Sequence, residues 1–237
     1  MANFFPRWTN VLPLKIAVCL GVAGGGVVVA FTYYATPKAQ RVGYQPAQPI
    51  PYDHSLHVGQ LGLDCRYCHS FVEHSGQANV PSANTCWNCH QHVRKESPKL
   101  EPLRRAYDET YANYDGAPIK WVRVHTNPDY VFFNHSAHLN RGISCVSCHG
   151  KVNEMEVVYQ AKSHSMGFCL DCHRDPARHL RPLEEVFNLD YDPKEYLETH
   201  EILDAEGNVI KTPKELGEFL KQHWNIQSKE SCSTCHR

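Results

Sequence analysis

One stretch of the chain stands apart in polarity. Ile16 to Tyr34, IAVCLGVAGGGVVVAFTYY, runs without a single charge. A helix of about 20 apolar residues crosses a hydrocarbon core of roughly 30 Å, and this run is long enough to do so. Phe4, Phe5 and Trp8 on one side and Tyr33 and Tyr34 on the other suit the two interfaces. The stretch exceeds the apolar region of a typical cleaved signal, no clean A-x-A site follows, and Val18 is too bulky for a lipobox at Cys19. It reads as an uncleaved signal anchor, residues 1–40. Arg7 and Lys15 at one end balance Lys38 and Arg41 at the other, so flanking charge does not orient it. Gly21 and Gly24–Gly26 allow close approach of a partner helix, or are filler in a simple anchor.

Beyond it, RVGYQPAQPIPYD (41–53) carries Pro46, Pro49 and Pro51 and predicts an extended, semi-rigid spacer. Regular patterning returns only late. Asp192–Pro193 opens a short helix, PKEYLETH, and EILDAEGNVI predicts a hairpin about Glu206–Gly207–Asn208. Thr212–Pro213–Lys214–Glu215 is a capping box. It opens KELGEFLKQHW, with Leu216, Phe219, Leu220 and His223 on one face. Elsewhere loops and short α-helices are expected, with little regular structure.

The cysteines explain that expectation. Ten of the 11 fall in five C-x-x-C pairs, each followed by histidine: Cys65/Cys68/His69, Cys86/Cys89/His90, Cys145/Cys148/His149, Cys169/Cys172/His173 and Cys232/Cys235/His236. C-x-x-C disulfides are strained, and zinc ribbons do not require a histidine after every pair. C-x-x-C-H reads as c-type haem attachment: two thioethers and a proximal iron ligand. Five covalently bound haems would supply much of the apolar filling. Net charge is −1, which argues against nucleic acid as a partner. Haem is attached to such motifs on the outer side of an energy-transducing membrane. The domain 54–237 is therefore expected on the periplasmic side of the cytoplasmic membrane, held by a single pass.

The gaps between consecutive motifs alternate. Those from His69 to Cys86 and from His149 to Cys169 are short, and those from His90 to Cys145 and from His173 to Cys232 are long. HSLHVGQLGLDCRYCH (54–69) aligns with HSAHLNRGISCVSCH (135–149) with one residue inserted. Repeat one is thus 54–90, repeat two 135–173, and the fifth motif, 232–236, stands alone. Low-spin haem needs a second axial ligand, and the repeated H-S-x-H nominates His54, His57, His135 and His138. Two histidines three apart lie on one side of a helical turn and can reach two haems. For the fifth site Met166 leads, against His125 and His164; a thioether raises haem potential. His74, His92, His179, His200 and His223 are expected at the solvent or beside propionates.

The FNHSAH segment (133–138) followed by C-x-x-C-H resembles class III multihaem cytochromes c. More closely, the anchor, the five motifs and the stretches CRYCHSFVEHSGQANVPSANTCWNCH and WVRVHTNPDYVFFNHSAHLNRGISCVSCHG…VVYQAKSHSMGFCLDCHR resemble the pentahaem subunit of bacterial alternative complex III, from residue 1 to about 180. That resemblance implies an electron-transfer subunit of a quinol:acceptor oxidoreductase, respiratory or photosynthetic, without catalysis of its own. Its implied partners are iron–sulfur and quinol-binding membrane subunits and a monohaem cytochrome c or other soluble acceptor. It also implies one His/Met-ligated haem, for which Met166 is the natural position. Two enzymes compete with this reading. A tetrahaem-type quinol dehydrogenase would oxidise quinol at its own haem, although the Pro-rich spacer separates Tyr34 from Cys65. A nitrogen-oxyanion reductase would need a five-coordinate haem, and the histidine supply signals none.

Overall fold

The computed structural model describes residues 6–35 and 41–237; Phe4, Phe5 and Lys38 lie outside the described residues. Helix α1, Leu12–Ala35, spans 24 residues, about 36 Å at 1.5 Å per residue. None of it is buried, and Leu20, Val22 and Phe31 are about 70 % exposed. Its most apolar 18-residue window has a mean hydropathy of 2.1. Length and apolarity suit a membrane span, as the uncharged run predicts, with Trp8, Tyr33 and Tyr34 near its ends.

No strand forms among the described residues, and the domain after α1 is loops and short helices. These are α2 (Cys65–Cys68), α3 (Ala83–His90), α4 (Glu101–Tyr107), α5 (His135–Leu139), α6 (Cys145–His149), α7 (Met166–Arg174), α8 (Pro193–Thr199), α9 (Pro213–His223) and α10 (Cys232–Cys235). Every C-x-x-C-H motif falls on one of them.

The Pro-rich segment is not a free spacer. The Gly43 amide donates to the Gln160 carbonyl at 2.8 Å, and the Gln160 amide donates back to Tyr44 at 3.0 Å. Gln48 pairs with Val122 through both its amide groups, and Ile50 is buried. Proline favours an extended backbone, and an extended backbone exposes the groups that neighbouring segments can satisfy. Residues 41–48 therefore lie between 122–124 and 157–160 as part of the domain surface.

Side-chain packing is uneven. Of the 14 buried hydrophobic residues, seven lie between 180 and 226, a fifth of the chain. Leu180, Tyr196, Ile210, Leu216 and Leu220 form one cluster there. Asp192 caps α8, and Thr212 with Glu215 forms the predicted capping box on α9. Leu216 and Leu220 face inward, while His223 is exposed and stacks on Phe219. The predicted hairpin reduces to one bridge, Leu203–Val209, closed by the Asp204 turn. Gly217 lies so close to the segment Pro176–His179 that a β-carbon would overlap the Ala177 carbonyl. This lobe carries no motif and packs mainly on itself, with Val186 joining it to Val72 and Leu139.

Leu216, at 1 % exposure, is its centre. Leu216→Ala should lower the stability of the lobe by about 2–5 kcal/mol, measured by urea unfolding followed by far-UV circular dichroism.

Candidate haem centres

Each motif lies on a short helix entered from an extended residue, and two of those residues cap the helix. Asp64 accepts the Arg66 amide at 2.8 Å before α2, and Ser165 accepts the Phe168 amide at 3.3 Å at the start of α7. Ser82, Ser144 and Ser231 precede the other three helices in extended conformation. A turn brings cysteines at i and i+3 to one side with histidine at i+4.

The histidines are held by the backbone. Nδ1 of His69 bonds the Asn79 carbonyl at 2.7 Å, Nδ1 of His90 that of Val93 at 2.9 Å, and Nδ1 of His236 that of Tyr130 at 3.2 Å. The H-S-x-H residues do the same: His57 on Asp53 at 2.7 Å, His135 on Gly76 at 2.9 Å, His138 on Asn134 at 2.7 Å. A carbonyl only accepts, so each Nδ1 carries the hydrogen and each Nε2 keeps its lone pair. Six of the nine predicted axial histidines thus hold the tautomer a metal requires.

Ring separations then select partners. His57 and His90 lie 6.2 Å apart between centroids, His135 and His149 6.4 Å, and His138 and His173 6.1 Å. An iron about 2 Å from each Nε2 would set the centres roughly 6 Å apart. His54 is the remaining one. Burial, followed by the charge of His69, drives its pKa down to about 4, and its Nδ1 is buried without a partner.

The competitors for the fifth site behave differently. His164 uses Nε2 to donate to the Cys148 carbonyl at 2.9 Å, from a left-handed backbone at φ 49°. His125 packs edge-on to His149 at 4.3 Å, too close for an iron between them, and lies nearly parallel to His164 at 5.4 Å. Burial lowers His125 to about 4. Burial, then His125, also holds His149 well below the ordinary imidazole range. Both competitors flank the third proximal histidine. Met166 starts α7 at 65 % exposure, one turn from Cys169. His74, His92, His200 and His223 are exposed, one of the two places expected of them; His179 is half-buried with an unpartnered buried Nε2.

Adjacent motifs touch. Asn88 in the second donates to the Tyr67 hydroxyl in the first at 3.2 Å. The Ser55 amide, just after His54, bonds the Met155 carbonyl at 3.1 Å, beyond the third. The Ser228 hydroxyl donates to the His173 carbonyl at 2.7 Å, joining the fourth to the approach of the fifth. The free thiols follow suit. After burial, Cys86 is raised by Cys68, Cys145 (to about 11) by Cys65, Cys148 (to about 12) by Cys172, and Cys169 by Cys235. The spatial order is second, first, third, fourth, fifth.

Porphyrin fits this lining. Tyr67, Phe71, Val80, Val93, Tyr130, Phe132 and Met166 are exposed around the motifs, and the imidazoles above present Nε2 in pairs. Sequence reasoning missed the supports, above all Asn79. It sits at φ 58°, gives its carbonyl to His69, and uses its side chain to accept the Phe71 amide and donate to the Cys68 carbonyl. A lone Asn in a loop carries no signal for this. Asn79→Val should cost about 1–2 kcal/mol from the left-handed backbone alone, read by urea unfolding, and should alter the low-spin EPR signal of one haem.

No protein-family model matches the chain. It is 33 % identical over 154 residues to the multihaem cytochrome c subunit of the menaquinone reductase of Nitratidesulfovibrio vulgaris, across 64 % of this chain and 63 % of that subunit. The chain thus spans just under two thirds of its relative's length. The likeness supports covalently bound c-type haem, and it agrees with a fold of loops and short helices behind one N-terminal apolar helix: the class of a multihaem cytochrome c.

Proposed function

We propose that the chain is a membrane-anchored pentahaem cytochrome c, relaying electrons within a quinone-linked membrane complex. The observation that carries this is the set of three imidazole pairs spaced for iron, each joining an H-S-x-H residue to a C-x-x-C-H histidine. Bound haem would supply reversible one-electron chemistry at iron. The chain's own part is to hold and orient. The ten motif cysteines form the thioethers, and His69, His90, His149, His173 and His236 are the proximal ligands. His57, His135 and His138 serve the second, third and fourth haems, and His54 the first, by the symmetry of the repeats.

Met166 serves the fifth. It shares a face of α7 with Cys169, a thiol that feels the charge of Cys235 in the fifth motif, and the Nε2 of His164 is already engaged.

The likeness to a menaquinone reductase subunit supports a quinone-linked complex and membrane subunits as partners. The finer assignment, alternative complex III with iron–sulfur and quinol-binding subunits upstream and a monohaem cytochrome or soluble acceptor downstream, rests on the sequence resemblance. The relative's name describes reduction of menaquinone, so the relay is compatible with flow toward quinone as well. The direct quinol dehydrogenase stays as the second reading, because residues 41–48 pack on the domain and do not hold it away from the bilayer.

The intact mass of the purified chain should exceed the polypeptide by five haems, and Cys232→Ser with Cys235→Ser should remove one. Met166→Leu should abolish one low-spin EPR signal, and carbon monoxide should leave the reduced wild type uncomplexed. Fast stoichiometric carbon monoxide binding, or rapid reduction of the isolated subunit by menaquinol, would sink the relay reading in favour of an enzyme.

A further inference from the structure

We infer that the surface built from residues 41–48, 118–124 and 156–162 lies against the headgroups of the bilayer that α1 enters, and binds anionic lipid. The inference rests on α1 as a membrane anchor and not on the haem assignments.

Covalent geometry comes first. Whatever path residues 36–40 take, six residue steps from Ala35 to Arg41 reach at most about 22 Å. Arg41 is fixed to the domain: its guanidinium donates to the Val124 carbonyl at 3.3 Å and lies over the Tyr44 ring. The bonds of Gly43, Tyr44 and Gln48 hold the next residues between the flanking segments. The domain surface nearest the tether is therefore this three-segment layer.

Its chemistry matches the place. The three segments contain four basic residues and one acid, Glu156. Arg41, Arg123 and Lys162 are exposed, and none forms an ion pair among the described residues. Tyr44, Val122 and Tyr159 are about 40 % exposed beside them. Aromatic and apolar side chains among cations are what an interface with anionic headgroups accommodates. The rest of the chain is polarised accordingly: residues 180–226 carry 11 acidic and five basic residues, leaving 14 acidic and 19 basic elsewhere. The acidic lobe would be repelled from an anionic surface as the basic layer is drawn to it.

The test uses the full-length holoprotein in lipid nanodiscs containing phosphatidylglycerol and a nickel-chelating headgroup lipid, with Cys19→Ser removing the free thiol. A spin label on Val122→Cys should show several-fold greater nickel-induced relaxation than one on Leu203→Cys in the acidic lobe. Arg123→Glu with Lys162→Glu should weaken the contact about fivefold per residue, as expected for about 1 kcal/mol per basic side chain. Equal relaxation at the two positions would overturn the proposal. So would a label at 122 shielded by a copurifying subunit and untouched by nickel lipid, which would give the face to a protein partner. Carbonate extraction separates the two failures: a chain released from membranes refutes the anchor, while a retained chain without contact at 122 refutes the surface alone.

Discussion

A neutral imidazole has one lone-pair nitrogen to offer a metal, and whatever hydrogen-bonds the other nitrogen decides which it is. In this chain the backbone decides. Asn79, Val93, Tyr130, Asp53, Gly76 and Asn134 each place a carbonyl on an Nδ1. Loops with little repetitive structure suit this task, because a carbonyl consumed in a helix or sheet ladder has less left to give. The scarcity of regular structure and the orientation of these imidazoles are two sides of one arrangement. What a helical bundle would do with packed ridges, this domain does with turns that aim carbonyls.

The same arrangement explains why the chain has two kinds of interior. Between 180 and 226 it buries leucine, isoleucine and tyrosine mostly against one another, with Ile143 at the edge and Val186 reaching Val72 and Leu139. Around the motifs it leaves Phe71, Phe132 and Tyr130 at more than half exposure. In a chain relying on side chains alone that would be unfavourable, at about 25 cal/mol for each Å² of apolar surface left in water. A large planar apolar cofactor reverses this, since porphyrin faces would take that area out of water.

How much of this was legible in the sequence follows from which interactions are local. C-x-x-C-H is a single turn, so cysteines and histidine are fixed relative to one another by spacing. The uncharged run of α1, the Asp192 cap and the Thr212–Glu215 capping box are equally local, and each appears in the structure where predicted. The H-S-x-H repeat was visible, but the partner of each histidine was not, because His57 and His90 meet from opposite ends of the first repeat. The docking of 41–48 depends on the far segments 122–124 and 157–160, and nothing within a Pro-rich stretch announces what will pair with its free amides. Proline spacing could not predict this company, nor the turn at 41–44 that opens the segment. The support from Asn79 needs both a left-handed loop residue and a fold that brings it beneath the first motif.

Tether and motif order together constrain how a relay could be placed in a larger assembly. Arg41 reaches Val124, and the adjoining His125 packs on His149, so the third motif is the one closest to the attachment of the membrane segment. In the spatial order second, first, third, fourth, fifth, the third is the middle. The two terminal motifs each have one neighbour and are the more open: Cys89 and Cys232 are exposed, while Cys145 and Cys148 are half-buried. An anchor at the middle of a linear series leaves both ends free to meet partners, one to supply electrons and one to receive them. Anchoring at an end would give one of those contacts to the membrane. This geometry does not prefer a direction of flow, so the same chain suits a complex that oxidises quinol or one that reduces quinone, according to which partner's potential is lower.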